Sequence, residues 1–152
     1  MIAVLRADPP HADRRVETAF GTFDVADSDV LQFAEGIPGF EGCRRFVLLT
    51  SPAIAPLHCL HAIEGANASF LVVDPRAVLP AYRCALSDAD RVKLYATPDS
   101  SLVWLALVTV DEAQGPSVNL RAPIVINPAR MVGFQVMPHN SLYPLRQPLA
   151  AE

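Results

Sequence analysis

Apolar runs long enough to cross a bilayer are missing: the longest, residues 102–108, falls far below the roughly 18 residues such a span requires. The chain starts with only five apolar residues before Arg6, shorter than the roughly 7–15-residue core of a secretory signal. Neither export nor membrane association is therefore expected. Cysteine is scarce, with Cys43, Cys59 and Cys84 the only three in 152 residues. An odd number cannot all pair within one chain, so reduced thiols in the cytoplasm are the expectation. Cations are outnumbered, 12 Lys and Arg against 16 Asp and Glu, for a net charge of −4. Nucleic-acid affinity comes largely from cations neutralising phosphates, and Arg14, Arg15, Arg44, Arg45, Arg121 and Arg130 are scattered in sequence. No direct nucleic-acid partner is expected, and an acidic domain of this kind suits a basic protein partner.

Helix signals are also few. Ser87 followed by Asp90 matches a capping box and predicts one short helix over residues 87–94, with a possible turn after Asp74-Pro75. Most of the remaining sequence has strand character. The stretch "RVETAFGTFDV" alternates on both sides of Gly21 and predicts a hairpin. Further strands are predicted over residues 30–33, 44–50, 57–63, 69–73 and 102–110, more weakly over 81–86, and in "SVNL", "PIVIN" and "MVGFQVM". Residues 102–110 are apolar on both faces, as in a central strand. Fourteen prolines separate these segments without forming a low-complexity tract. The expected fold class is all-β: a single compact β-barrel-like domain of about eight to ten short strands with one short helix. Residues 1–13 are expected to form a flexible N-terminal arm and residues 14–152 the domain. Residues 70–73 are assigned to the core.

Chemistry-bearing motifs are sparse. Gly36, Gly39 and Gly42 form G-x-x-G-x-x-G, which is neither a dinucleotide fingerprint nor a Walker loop. No helix follows to hold a phosphate, and Glu35 and Glu41 would repel one. Pro38 and Gly39 instead occupy the central positions of a type II turn, Ile37-Pro38-Gly39-Phe40. Two readings follow: Ile37 and Phe40 fold under the turn onto the core, or one of them stays outside as an anchor for a partner. "HCLH" would place Cys59 and His61 on the face of a strand opposite His58 and Leu60. A zinc site there would need further ligands, with Cys84 the available cysteine. Asp24, Asp27 and Asp29 lack the order of a calcium loop and read as a solvated turn. No cofactor or metal is expected. A small thiol- or metal-dependent enzyme using Cys59, His61 and Cys84 or Cys43 is the competing class.

Several stretches taken together go further. "FAEGIPGFEGCRRFVLL", "FLVVDP", "VNLRAPIVIN", "VGFQV" and the closing "YPLRQPL" follow one another in an order and spacing that resemble the flagellar assembly factor FliW family. The resemblance implies a β-barrel-like fold without enzymatic activity. It also implies two cytoplasmic partners, flagellin and the mRNA-binding regulator CsrA, which compete so that flagellin synthesis follows assembly. A monomer is expected when the chain is free. The family often carries an acidic run before the closing tyrosine, where this chain has "MPHNSLY"; a flagellin-binding chaperone without CsrA antagonism is the alternative. Candidate partner-binding residues are Ile37 and Phe40, Asn119 and Asn127 flanking "APIVI", and Tyr143 and Arg146 in the terminal segment. For each asparagine, a turn-capping hydrogen bond is the competing structural role.

Overall fold

The computed structural model describes residues 3–4, 14–18, 21–63, 68–138 and 141–149. Among them run twelve strands and two short helices: β1 (Ala3–Val4), β2 (Arg14–Thr18), β3 (Gly21–Val25), β4 (Leu31–Gln32), β5 (Arg45–Thr50), β6 (His58–Ala62), β7 (Ser69–Val73), α1 (Pro75–Val78), α2 (Asp88–Lys93), β8 (Val103–Asp111), β9 (Gly115–Val118), β10 (Ile124–Asn127), β11 (Val132–Gln135) and β12 (Gln147–Pro148). Seven of the strands close on themselves in the order β10-β11-β4-β5-β6-β7-β8, with β8 returning to β10. The all-β, barrel-like expectation holds. The predicted strand over residues 30–33 appears as β4, whereas β1 and β12, with two residues each, go unread. Segments that short carry no readable period of two.

Closure depends on β8. Val103, Trp104 and Leu105 pair with β10, residues 106–108 pair with β7, and residues 108–111 pair with β9. The middle of β8 is covered on both faces, with Leu105 and Ala106 buried, as expected of a central strand, while its far end leaves Val110 65% exposed. Every pairing in the ring is antiparallel except β11 with β4, where Val132 lies opposite Gln32.

The alternation along each strand divides its side chains between an interior and an exterior layer. Phe46 and Leu48 of β5, Leu60 and Ala62 of β6 and Ile124 and Ile126 of β10 fill the barrel together with Leu31, Phe33 and Ile37. Burial of each such large side chain contributes roughly 1.5–3 kcal/mol. The intervening residues are covered from outside. Val47, Leu49 and Cys59 lie under Val25 of the β2–β3 hairpin, whose register pairs Val16 with Phe23 as the alternation required. Val125 lies with Leu94, Phe134 and Val136 beneath the α2 segment. Val73, Ala106, Val118 and Leu120 lie with Tyr82, and Tyr143 and Leu149 of the C-terminal segment pack against them.

Local chemistry explains the connections. Ser87 Oγ accepts from Asp90 N at 3.1 Å and Asp90 Oδ2 accepts from Ser87 N at 3.3 Å, closing the expected capping box of α2. Asp74 caps α1 by accepting from Arg76 N at 2.9 Å. Residues 81–86 form no strand, contrary to their weak alternation. Tyr82 is pinned instead, buried, with its hydroxyl donating to Leu120 O at 2.9 Å. Asp29 is not solvated either: it is buried and its Oδ2 accepts from Ala26 N at 2.8 Å. Within residues 1–13, Ala3 and Val4 pair with Thr50 and Leu49 of β5. None of the described helices is long and apolar enough to cross a membrane.

Candidate functional site

The turn at residues 37–40 has the predicted geometry. Phe40 N donates to Ile37 O at 2.6 Å, and Gly39 has φ +89°, a value that favours glycine. The two apolar residues at its ends part company. Ile37 is 2% exposed and joins the barrel core, whereas Phe40 is 41% exposed and sets its ring edge-on against Phe70, centroids 5.0 Å apart. The turn thus divides its two apolar residues between the barrel core and the surface.

Beside this turn lies an apolar groove of about 400 Å³. One wall is Ile37 and Pro38, the floor includes Phe70 of β7 and Leu107 of β8, and Asn119, Arg121 and Ala122 follow from the β9–β10 connection. Gln135, Met137, Pro138 and Leu145 complete it. Met137 and Leu145 leave more than half of their surface to solvent. Three hydrogen bonds hold the walls in register. Asn119 N donates to Leu107 O at 2.9 Å, Gln135 Nε2 donates to Ala122 O at 2.9 Å, and Arg121 Nε donates to Tyr143 O at 2.9 Å.

A second cavity of about 370 Å³ shares Pro38, Gln135 and Met137 with the groove. It is polar and mostly acidic, lined by Glu35, Glu41 and Asp90 with Lys93 as the cation. Lys93 Nζ lies 2.9 Å from Glu35 Oε2 and 5.0 Å from the centroid of the Phe134 ring. Glu41 accepts from Gly39 N at 3.0 Å, and that bond holds its carboxyl below the usual range and therefore ionised.

The other candidates are distributed differently. Asn119, half-buried, has the capping role: its Oδ1 accepts from Arg121 N at 3.0 Å and Ala122 N at 3.1 Å. Asn127 is 2% exposed and has no surface to present. Its Nδ2 donates to Leu94 O at 2.8 Å, tying the end of α2 to β10. Tyr143 belongs to the framework, with its ring 4.5 Å from that of Tyr82 and its hydroxyl accepting from Arg83 N at 2.9 Å. Arg146 is exposed and lines a separate cleft of about 260 Å³ with Thr109, Asp111 and Gln114. Ile37 and Asn119 thus meet at the groove and Phe40 adjoins it through Phe70, while Asn127 and Arg146 stand apart. Phe70, Leu107, Met137 and Leu145 carried no signal of a surface in sequence. Phe70 and Leu107 pack against the barrel core while staying partly exposed, and an apolar strand sequence does not tell such residues from fully buried ones.

Around "HCLH", Cys59 and His61 do share the face opposite Leu60. Both are buried; burial pushes the Cys59 thiol up and the His61 imidazole down. His61 Nδ1 lies 2.6 Å from Ser69 Oγ and His58 Nδ1 lies 2.9 Å from Thr50 Oγ1, so both rings are engaged with neighbouring strands. Cys84 is half-buried, and it packs beside Tyr82 in the outer cluster away from Cys59. No group of three potential metal ligands occurs among the described residues.

Against known proteins, the model of the FliW protein family matches residues 15–149, nearly the whole described chain. The chain belongs to the FliW family. The flagellar assembly factor FliW of Desulfitobacterium hafniense is 35% identical over 136 residues, covering 89% of this chain and 90% of that protein. That of Thermotoga maritima is 30% identical over 138 residues, covering 90% and 93%. A crystal structure of the flagellar assembly factor FliW superposes with a TM-score of 0.81 at 28% identity, covering 91% of this chain and 99% of that one. The stretches that first suggested the family, "FAEGIPGFEG" and "VNLRAPIVIN", contribute Ile37, Pro38, Asn119, Arg121 and Ala122 to the groove. FliW proteins are flagellar assembly factors, and the groove is the candidate site of this one.

Proposed function

We propose that this FliW protein acts in the cytoplasm by binding rather than by catalysis. It captures flagellin, and it holds the mRNA-binding regulator CsrA while flagellin is scarce. When flagellin accumulates and occupies the protein, CsrA is released and flagellin translation falls, a matter of mass action among competing complexes. The observation that carries this reading is the apolar groove between the Ile37-Pro38 turn and Met137–Leu145, built largely from the stretches that mark the family. The acidic cavity beside it adds to the case, because a protein that holds RNA must itself be basic.

The test is capture of purified flagellin and purified CsrA by the folded chain, followed by competition between them. Recovery of both, with flagellin displacing CsrA, is the expected result; recovery of neither by protein of intact fold refutes it. A narrower reading, flagellin alone, is favoured by one feature: no carboxylate stands between Met137 and Arg146. Sub-micromolar binding of CsrA by titration excludes that version.

A further inference from the structure

The groove also constrains the form of what it binds. Strand addition, the commonest way for an extended peptide to join a β-protein, needs an open strand edge. Among the described residues, the strands that border the groove leave only short unpaired stretches, such as residues 133–135 of β11 beyond the one pair of Val132 with Gln32. β7 is paired to β6 and β8, and β11 to β10 and β4. β8 has β7 on one flank and β10 followed by β9 on the other. The outer side of β9 is taken by β12, with Gln147 opposite Val118 and Pro148 opposite Ser117. Edges of two or three residues give an extended peptide little to pair with, so an occupant is held mainly by its side chains. An element that satisfies its own backbone hydrogen bonds and offers apolar side chains in a row is an α-helix with anchors at i, i+3, i+4 and i+7.

Charge selects further. The neighbouring cavity, continuous with the groove through Pro38 and Met137, holds three carboxylates against one ammonium, and that ammonium is engaged by Glu35. The surplus carboxylates, Glu41 and Asp90, are fixed by backbone hydrogen bonds to Gly39 and Ser87 and do not depend on a partner for their orientation. We infer that the groove receives an amphipathic helix of the partner whose apolar face lies on Phe70, Leu107, Met137 and Leu145, with Lys or Arg at the end that reaches Glu41 and Asp90. This inference rests on the binding function proposed above and names the chemistry of its ligand.

The experiment uses the full chain, labelled with nitrogen-15, and a 16-residue helical peptide with leucines at i, i+3, i+4 and i+7 and lysines at one end. Its comparisons are the same peptide with glutamates for lysines and a scrambled peptide of identical composition. Saturable amide shifts at Phe70, Leu107, Met137 and Leu145 are expected with the lysine peptide. Binding should be weaker by about tenfold or more for the glutamate peptide at low salt. Leu145→Glu and Met137→Glu alter exposed side chains and should abolish the shifts with the spectrum otherwise intact, while Glu41→Gln should reduce the preference for lysine. Equal binding of the scrambled peptide, shifts elsewhere on the protein, or no binding of the lysine peptide overturns the inference. So does self-association through the same residues on concentration alone, which would assign this face to a second copy. Neither flagellin nor CsrA enters this titration, so its failure is distinct from failure of the capture experiment.

Discussion

Replacement of Asn127 by alanine should damage stability and spare binding. The side chain is buried and used at both ends: Nδ2 donates to Leu94 O at 2.8 Å and more weakly to Tyr95 O at 3.4 Å, and Oδ1 accepts from Ala129 N at 3.2 Å. Leu94 is the C-cap of α2, so its carbonyl has no helical partner, and Leu94 itself is fully buried. Alanine leaves that carbonyl and the Ala129 N–H without the partners they had. Each abandoned group costs about 1–3 kcal/mol, which places the total for the two at roughly 2–6 kcal/mol. For a domain of this size each kcal/mol lowers Tm by about 2–4 °C, so a drop of roughly 4–24 °C is expected by circular dichroism. Asn127→Asp keeps the acceptor for Ala129 but turns an ionised oxygen towards the Leu94 carbonyl, and should be at least as harmful at pH 7. Well below its Tm, each variant should bind partner with unchanged affinity, because Asn127 lies outside the groove. A Tm change under about 2 °C refutes the packing argument. Lost binding with unchanged Tm refutes the structural role and restores Asn127 as a contact.

Three further perturbations follow from the same geometry. Gly36 has φ +65° and an added Cβ would meet Glu41 Cα at 2.7 Å, so Gly36→Ala should cost about 1–3 kcal/mol in urea unfolding and weaken groove binding by shifting the turn; wild-type stability would contradict the close approach. Tyr143→Phe loses only the bond from Arg83 N and should cost about 1 kcal/mol, whereas Tyr143→Ala removes the ring packed on Tyr82 and should lower Tm by several degrees; an unchanged Tm for alanine would detach the C-terminal segment from the fold. His61 is held below its ordinary value of 6.5 by burial. The unfolded chain therefore takes up the proton first as pH falls, and His61 contributes stability above about pH 6.5 that is lost as pH drops towards its folded value. The urea midpoint should fall between pH 7.5 and 5.5, and by less in His61→Gln; equal pH dependence in both proteins would refute the assignment.

Elements that follow from local chemistry were legible in the sequence. The capping box of α2, the hairpin about Gly21 and the type II turn at Pro38-Gly39 each depend on residues within about four positions of one another. Residues 81–86 show where that reasoning ends. Their alternation resembles a strand, but strand pairing needs a partner, and Tyr82 finds Leu120 across 38 positions of chain. Asn127 shows the same limit. Its place beside "APIVI" suggested a contact, yet the carbonyl it serves belongs to α2, which arrives there only once β10 has packed beneath that segment.

The groove could not have been read from any single segment, and the reason is the closure of the barrel. Its floor comes from β7 and β8 and its walls from the turn at Pro38, the β9–β10 connection, residues 135–138 and Leu145, six stretches that the pairing of the strands brings together. Phe70 and Leu107 lie on the barrel-facing side of β7 and β8, with Leu60 and Leu105, and they form the groove floor where that interior layer reaches the surface. On the opposite side of the sheet, the β2–β3 hairpin covers β5 and β6, the α2 segment covers β10, and Tyr82 with Tyr143 covers Ala106 and Val118. Tyr143 sits at the boundary between covered and uncovered surface. Its ring closes one outer cluster, and its carbonyl holds Arg121 at the lip of the groove. The fold thus gives Tyr143 a structural role whether or not it touches a partner. Loss of its ring should loosen Arg121 and the Leu145 wall together, so that binding weakens in Tyr143→Ala in proportion to stability, whereas Tyr143→Phe keeps the ring in place and should bind as the wild type does despite its cost of about 1 kcal/mol.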